Sequence, residues 1–493
     1  MALVNRADAA RPFSIHRKEW LALCSLALFG LITAVCPTVR AFYHFEINYV
    51  DGWNVYNALK VAQHVPLYGA KYAWTTVNYP ALSFYVVAYL SRFTHDYLLT
   101  GRLLSLFSLG ISCILIGLII RKLTADFAAA FFGGFFCLAL FCAVATRYVG
   151  MADPQMFAQV FFLSGLLLYI AAPPTLGRLA LIAVLFILGG NIKHNLLEFP
   201  LAVFIDLCIA SRRKATAFAL FSAVLLCASI ALNIKFGGPF FISNLLGARE
   251  YSFFGGIVDF LADYWPILLP FVASCIWVKK NWRNETWRLI CIFFIVSLLL
   301  DVSAAGGIGV SINAYFGNFL AISIIMGMIL HDAWQSSPTF FISHPLWRRR
   351  VPVILFASLL LPFALSGYFW FWNGLREMPE EQKQFDKETS FLRAQPGPAI
   401  CESLLRCYYA GKPQVFEPFN STRLVRFHKL DSEEIVENIA THQYGAIQLD
   451  RPLESLERPN ERFPSDVLDA IGQDYVISVD DPGCAIYVPK NSR

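Results

Sequence analysis

His44-Phe45-Glu46-Ile47-Asn48-Tyr49-Val50-Asp51-Gly52-Trp53 follows directly on an apolar run, residues 20–39, long enough to cross a bilayer. A carboxylate at the mouth of a membrane helix is either a solvated loop residue or a group kept there for chemistry. Which of the two holds depends on the side of the membrane it faces and on what faces it.

Outward from this stretch, apolar segments of spanning or near-spanning length run over 103–120, 127–145, 155–171, 178–192, 196–210, 216–234, 262–278, 289–305, 315–333 and 351–371. With the first run they make about eleven spans. The composition agrees, since 57% of the residues are hydrophobic, 15% are charged and 44 are Phe. Such a chain is a polytopic membrane protein and not a soluble domain. The first run has no small-residue cleavage site that stands out, so it reads as a retained helix and not a removed signal.

Charge divides the chain. Residues 1–375 carry a net +11 and residues 376–493 a net −6. The basic residues are dispersed at helix ends and form no stripe, which argues against nucleic acid. The runs Arg212-Arg213-Lys214, Lys279-Lys280 and Arg348-Arg349-Arg350 fall on one side of the expected topology. The positive-inside rule makes that side the cytoplasm. The N-terminus is then cytoplasmic and the C-terminal part extracytoplasmic, in a multi-pass membrane protein.

The first outer loop runs from about 40 to 102. Within it, 51–65 shows helical spacing, Asn78-Tyr79-Pro80 breaks the chain, and 81–90 reads as a helix lying on the membrane surface. The membrane part is expected over 1–374. Residues 375–493 alternate strand and helix signals and are expected to form a small α/β domain. A closing hairpin is expected around Asp480-Asp481-Pro482-Gly483. Nine of the 12 cysteines lie in apolar segments, where they act as small hydrophobes. Cys401 and Cys407 lie in the tail and could form a disulfide in an oxidising compartment, although six residues apart on one helix would be poor geometry for it.

Polar residues collect at the outer ends of the spans. Asp51 is either a general base toward a hydroxyl or the cap of a helix starting at Trp53. Asp153 precedes Pro154 at the start of a span, which suits a helix cap as well as a second acid. Lys193-His194 interrupts an apolar run, where a cation needs an anion; a lipid phosphate, Glu198 or interfacial water would serve. His44, His194 and nearby acids have no metal-site spacing, so no metal ligand is assigned and a divalent metal is left open. No Walker A, Gly-x-Ser-x-Gly or His-Glu-x-x-His sequence occurs. Asn284-Glu285-Thr286 and Asn420-Ser421-Thr422 match the glycosylation pattern, the first in a cytoplasmic loop and the second read as chance.

One ordered set of motifs goes further. It comprises Tyr49-Val50-Asp51-Gly52-Trp53, Val65-Pro66-Leu67-Tyr68-Gly69, Asn78-Tyr79-Pro80-Ala81-Leu82, Gly101-Arg102-Leu103-Leu104-Ser105, Asp153, Asn191-Ile192-Lys193-His194-Asn195 and Asn313-Ala314-Tyr315-Phe316. In this order they resemble the GT-C superfamily of membrane glycosyltransferases over residues 20–335. The departure is Gly52, where many members carry Glu. The resemblance implies transfer of a sugar from a polyprenyl-phosphate donor to a hydroxyl of a cell-envelope lipid, glycan or protein, outside the cytoplasm. It implies Asp51 as the catalytic base and Asp153 as the second acid. It places Lys193, with Arg102 or Arg147, on the donor phosphate. Glu46, Tyr79, His194, Asn195 and Tyr315 would line the substrate cavity. The alternative is a transporter or lipid flippase with an outward-facing polar cavity, although no internal repeat is visible.

Overall fold

A computed structural model describes residues 17–247, 250–334 and 350–490. Arg348 and Arg349 of the topology argument lie outside the described residues. Helix α1 (Arg17–Arg40) enters the first outer loop, which folds into α2 (Tyr49–Ala62) and α3 (Leu82–Thr94). The membrane part continues through α4 (Tyr97–Thr124), α5 (Phe127–Val144), α6 (Gln155–Ala171), α7 (Leu176–Ile192), α8 (Glu198–Ala210) and α9 (Arg212–Gly237). After a short α10 (Phe241–Leu245) come α11 (Phe253–Tyr264), α12 (Leu268–Asn281), α13 (Arg288–Ala305) and α14 (Phe316–Trp334). Then α15 (Val351–Pro362) leads through a π-turn, Phe363–Gly367, into α16 (Tyr368–Ala394).

Six helices among the described residues are long and apolar enough to cross a membrane, or seven if the bent pair Phe253–Ala262 and Trp265–Asn281 is one span. Helices α6 and α7 are apolar but shorter than that measure. Every expected span therefore falls on helix, while length and composition alone qualify fewer than eleven of them. The helix around α14 is 83% buried over its apolar stretch and is the centre of the bundle; α9, at 11%, leaves its apolar surface uncovered.

The expected helices of the first loop form, with one shift: α2 starts at Tyr49 and is capped by the Asn48 side chain, which accepts from the Val50 N–H at 3.2 Å. Asp51 is therefore not the cap. The C-terminal domain is a sheet of β1 (Ala399–Cys401), β2 (Ala446–Leu449), β3 (Tyr475–Asp481) and β4 (Cys484–Pro489) in the order β1-β2-β4-β3. β1 and β2 are parallel, and the other pairs are antiparallel. The domain also holds α17 (Leu404–Tyr409), α18 (Pro418–Arg426), α19 (Glu433–Ala440) and α20 (Ser465–Asp474), of which α17, α19 and α20 share buried clusters with the sheet. The expected boundary at 375 falls inside α16.

Cys401 and Cys407 are joined by a disulfide across Cα atoms 5.9 Å apart. The expected obstacle disappears because Cys401 ends strand β1 and only Cys407 is helical. The domain does not stand apart from the membrane part. Trp53, Tyr56, Tyr68 and Phe84 of the first loop share one buried cluster with Leu392, Leu404 and Ile486. Tyr56 Oη donates to the Lys412 carbonyl at 2.8 Å, and Asn78 Nδ2 donates to Asn420 Oδ1 at 3.0 Å. The contact is so close that a Cβ on Gly52 would lie 2.6 Å from the Leu405 nitrogen. That explains the glycine that departs from the family pattern. Asn420-Ser421-Thr422 lies in α18, and its Ser421 and Thr422 are fully buried.

Candidate active site

The hairpin before α6 ends in Ala152-Asp153-Pro154. Asp153 Oδ1 accepts from the Gln155 N–H at 2.8 Å, which satisfies a donor of the first helical turn. Asp153 thus supports the first turn of α6 from the position before its cap residue, Pro154, and the same carboxylate has a second partner. Lys193 follows the last residue of α7, and its Nζ bonds Asp153 Oδ1 at 3.0 Å and Oδ2 at 3.1 Å. Both side chains are buried, at 2% and 5% exposure. Asp153 is therefore the anion that Lys193 required. Glu198 sits instead against the backbone of Gly317.

The pair is held by aromatic groups. Lys193 Nζ lies 5.2 Å from the centre of the Tyr79 ring, a cation–π contact that favours the charged amine. Tyr79 is fixed edge-on by Trp53 at 4.9 Å and by His194 at 6.2 Å. Its carbonyl accepts from Tyr68 Oη at 2.6 Å. Asp153, Lys193, Tyr79, His194 and Asn195 line one cavity of about 310 Å³. They meet Asn313 from the loop before α14, and Asn420, Arg423 and Arg462 from the C-terminal domain. A buried acid and cation facing a cavity with aromatic walls can accept a proton and hold an anion.

Asp51 lies behind this cavity and not on its wall. Its Oδ2 accepts from Arg102 Nη2 at 2.6 Å and from the Ile47 N–H at 3.0 Å, and its Oδ1 accepts from the Ala152 N–H at 2.7 Å. Both side chains of the pair are fully buried. Arg102 also donates to the carbonyls of Tyr43 at 2.5 Å and Phe45 at 2.8 Å. The pair stitches the first loop to α4 and to the hairpin that carries Asp153. Neither residue lines the cavity, because each spends its hydrogen bonds on the other and on backbone.

Three further expected site residues lie elsewhere. Arg147 is exposed, and its carbonyl accepts from Arg40 Nη2 at 3.4 Å. Tyr315 is buried among Tyr264 and Phe260, with ring centres 5.0 and 5.8 Å away, so its side chain is core. Glu46 opens onto a second, acidic chamber of about 1090 Å³ between the first loop, α16 and the C-terminal domain. Burial pushes its carboxyl up to about 7, and the charge of Asp450 adds to the rise. Glu402 in the same chamber is likewise pushed up to about 7 by burial and by Asp450.

Among the described residues no group of three or more His, Cys, Asp or Glu is placed to hold a metal ion. His44 lies 3.7 Å from Asp96 and stacks on Tyr409, whereas His194 lines the cavity. The donor set around Asp153 does not fit a divalent metal, because its neighbour is an ammonium group.

Arg423, Arg462 and Tyr49 are cavity residues that sequence reasoning did not assign. Arg423 sits on α18, a helix for which no expectation was formed. Only tertiary folding brings it beside residues hundreds of positions earlier.

No family model matches the chain, and no curated protein matches it by sequence. Solved structures do match it. The Cupriavidus metallidurans ArnT bound to undecaprenyl phosphate superposes with a TM-score of 0.56 at 11% identity, over 97% of this chain and 99% of that one. The Archaeoglobus fulgidus oligosaccharyltransferase AglB, in complex with an inhibitory peptide and a dolichol-phosphate, superposes with a TM-score of 0.54 at 11% identity, over 96% of this chain and 75% of that one. Both are GT-C enzymes. At these identities the likeness speaks for the fold. The chain is a polytopic membrane protein with the GT-C glycosyltransferase fold.

Proposed function

We propose that this protein is a membrane glycosyltransferase that moves a sugar from a polyprenyl-phosphate donor to a hydroxyl acceptor of the cell envelope. The Asp153–Lys193 pair on the wall of the aromatic cavity carries this reading. The fold supports it, and so do the lipid phosphates bound to the two structural neighbours, undecaprenyl phosphate in ArnT and dolichol-phosphate in AglB. The comparison does not favour the transporter alternative. With the basic loops in the cytoplasm, the cavity opens on the outer face of a bacterial cytoplasmic membrane.

In this reading Asp153 is the base and Asp51 a positioning residue. An arriving phosphate competes for the Lys193 ammonium, which in the resting protein bonds both Asp153 oxygens. Asp153 Oδ2, whose one hydrogen bond among the described residues is to Lys193, is then free to accept the acceptor hydroxyl's proton. The acceptor oxygen attacks the anomeric carbon, and the bond from that carbon to the phosphate oxygen breaks. The polyprenyl phosphate leaves with the electron pair, and Lys193 neutralises its developing charge. No nucleotide takes part, and the residues present give no reason to route a step through a metal.

Purified protein incubated with a panel of polyprenyl-phosphate sugars and envelope acceptors tests this. Transfer from at least one donor, unchanged by chelator, is expected. No turnover of any lipid-linked donor, with the protein folded, would remove the assignment.

A further inference from the structure

A second, much smaller cavity of about 20 Å³ lies behind Asp153, between α2, α3, α4 and the hairpin before α6. Among the described residues, Asp153 alone lines both this cavity and the larger one that holds Tyr79 and Lys193. Asn54 of α2, Ser83 of α3 and Ser105 of α4 add polar side chains to the inner wall.

The two serines are 3% and 2% exposed, and neither hydroxyl has a hydrogen-bond partner among the described residues. Buried serines elsewhere in the membrane part bond the carbonyl four residues back, as Ser274 does to Pro270 and Ser323 to Phe319, both at 2.8 Å. Ser83 and Ser105 make no such bond. A buried hydroxyl left unpaired costs free energy. Nor can the walls close on the gap. Asp51 Oδ1 fixes the Ala152 N–H at 2.7 Å, and a Cβ on Gly101 would lie 2.9 Å from that of Ala152. Helix α4 and the hairpin already touch beside the cavity.

Size and charge narrow what fits. A single water needs about 10–15 Å³, so the cavity holds one and little more. Asp153 is the only charged group on the wall, and Lys193 already matches its charge, which favours a neutral occupant. A water can accept from two hydroxyls while it donates to a carboxylate. The carboxylate has room for that bond. Of its roughly four lone-pair sites, three take the bonds from Gln155 and Lys193.

We propose that Ser83 and Ser105 hold a water against the inner side of Asp153, and that this water keeps the carboxylate in place when an arriving phosphate draws Lys193 away. Without it, the Gln155 N–H alone would hold the group at that moment. The second half of the proposal rests on the reading of Asp153 as the base. Ser83 and Ser105 are then positioning residues, acting on the reaction through the water and Asp153.

Three measurements on the full-length protein in nanodiscs test it. A density map of wild type fine enough to show ordered water is expected to place one between Ser83, Ser105 and Asp153. An empty cavity overturns the site, whatever the activity of the protein. Thermal unfolding reads the same site independently. Removing an unpaired buried hydroxyl stabilises a protein, whereas removing one that holds a water does not. Ser83→Ala and Ser105→Ala are each expected to lower the unfolding temperature by about 1–2 °C, and the double variant by less than the sum, because the two share one water. Unchanged or raised unfolding temperatures overturn the site. The positioning role is read from steady-state transfer. Ser105→Ala is expected to lower kcat about tenfold with the KM for the donor unchanged. A wild-type kcat in that variant removes the positioning role and leaves the water site. No turnover by wild type removes the base reading and the positioning role together, and again leaves the water site to the first two measurements.

Discussion

At the scale of residues, two acid–base pairs with similar sequence signals have different surroundings. Asp51 and Arg102 are fully buried and bonded to each other and to backbone, whereas Asp153 and Lys193 border a cavity. A buried ion pair broken on one side typically costs about 3–5 kcal/mol, because the remaining charge is left uncompensated. Asp51→Asn is therefore expected to lower the thermal unfolding temperature in detergent markedly. An unchanged melting profile would show that the pair does not hold the first loop. The acidic chamber adds a pH dependence. Glu46 and Glu402 have carboxyls raised from 4.5 to about 7, so the folded state keeps protons that the unfolded chain has released in that window. The stabilisation is complete below 4.5 and is lost as pH rises through about 7. Thermal stability is expected to fall over that range, and Glu46→Gln to flatten the fall. Parallel profiles for wild type and variant would contradict the assignment.

At the scale of elements, the seam between α2 and α17 is the most sharply specified. Gly52 sits 2.6 Å, measured from where a Cβ would be, from backbone of the C-terminal domain. Ala in a helix interior normally gains about 1 kcal/mol over Gly. Here the added methyl has no room, and overpacking of this kind costs about 1–3 kcal/mol. Gly52→Ala is expected to destabilise the protein and to speed proteolysis between α16 and β1. A variant as stable and as resistant as wild type would show that the seam yields. This element was half legible in sequence. The helices of the first loop, strands β1 and β2 and the closing hairpin could be read from periodicity and turn residues, which are local. Helix α18 could not, because burial against the first loop decides it.

At the scale of the whole molecule, the apolar runs and the charge asymmetry fix a membrane protein with a separate acidic tail. They do not show that the tail shares a core with the first loop. The cavity was partly legible too. Tyr79, Lys193, His194, Asn195 and Asp153 come from motifs whose order could be read along the chain. Arg423 and Arg462 lie more than 200 positions after Lys193, with no motif of their own. The same distance effect governed Asp51: sequence reveals an acid at the mouth of a helix, but not that Arg102 has already claimed it. The central claim is that Asp153 takes the acceptor proton. The most direct test is the single-turnover rate of sugar transfer by Asp153→Asn with saturating donor. A fall of about 100-fold or more is expected, with donor binding and folding retained. Transfer at the wild-type rate by a folded Asp153→Asn protein would contradict the account.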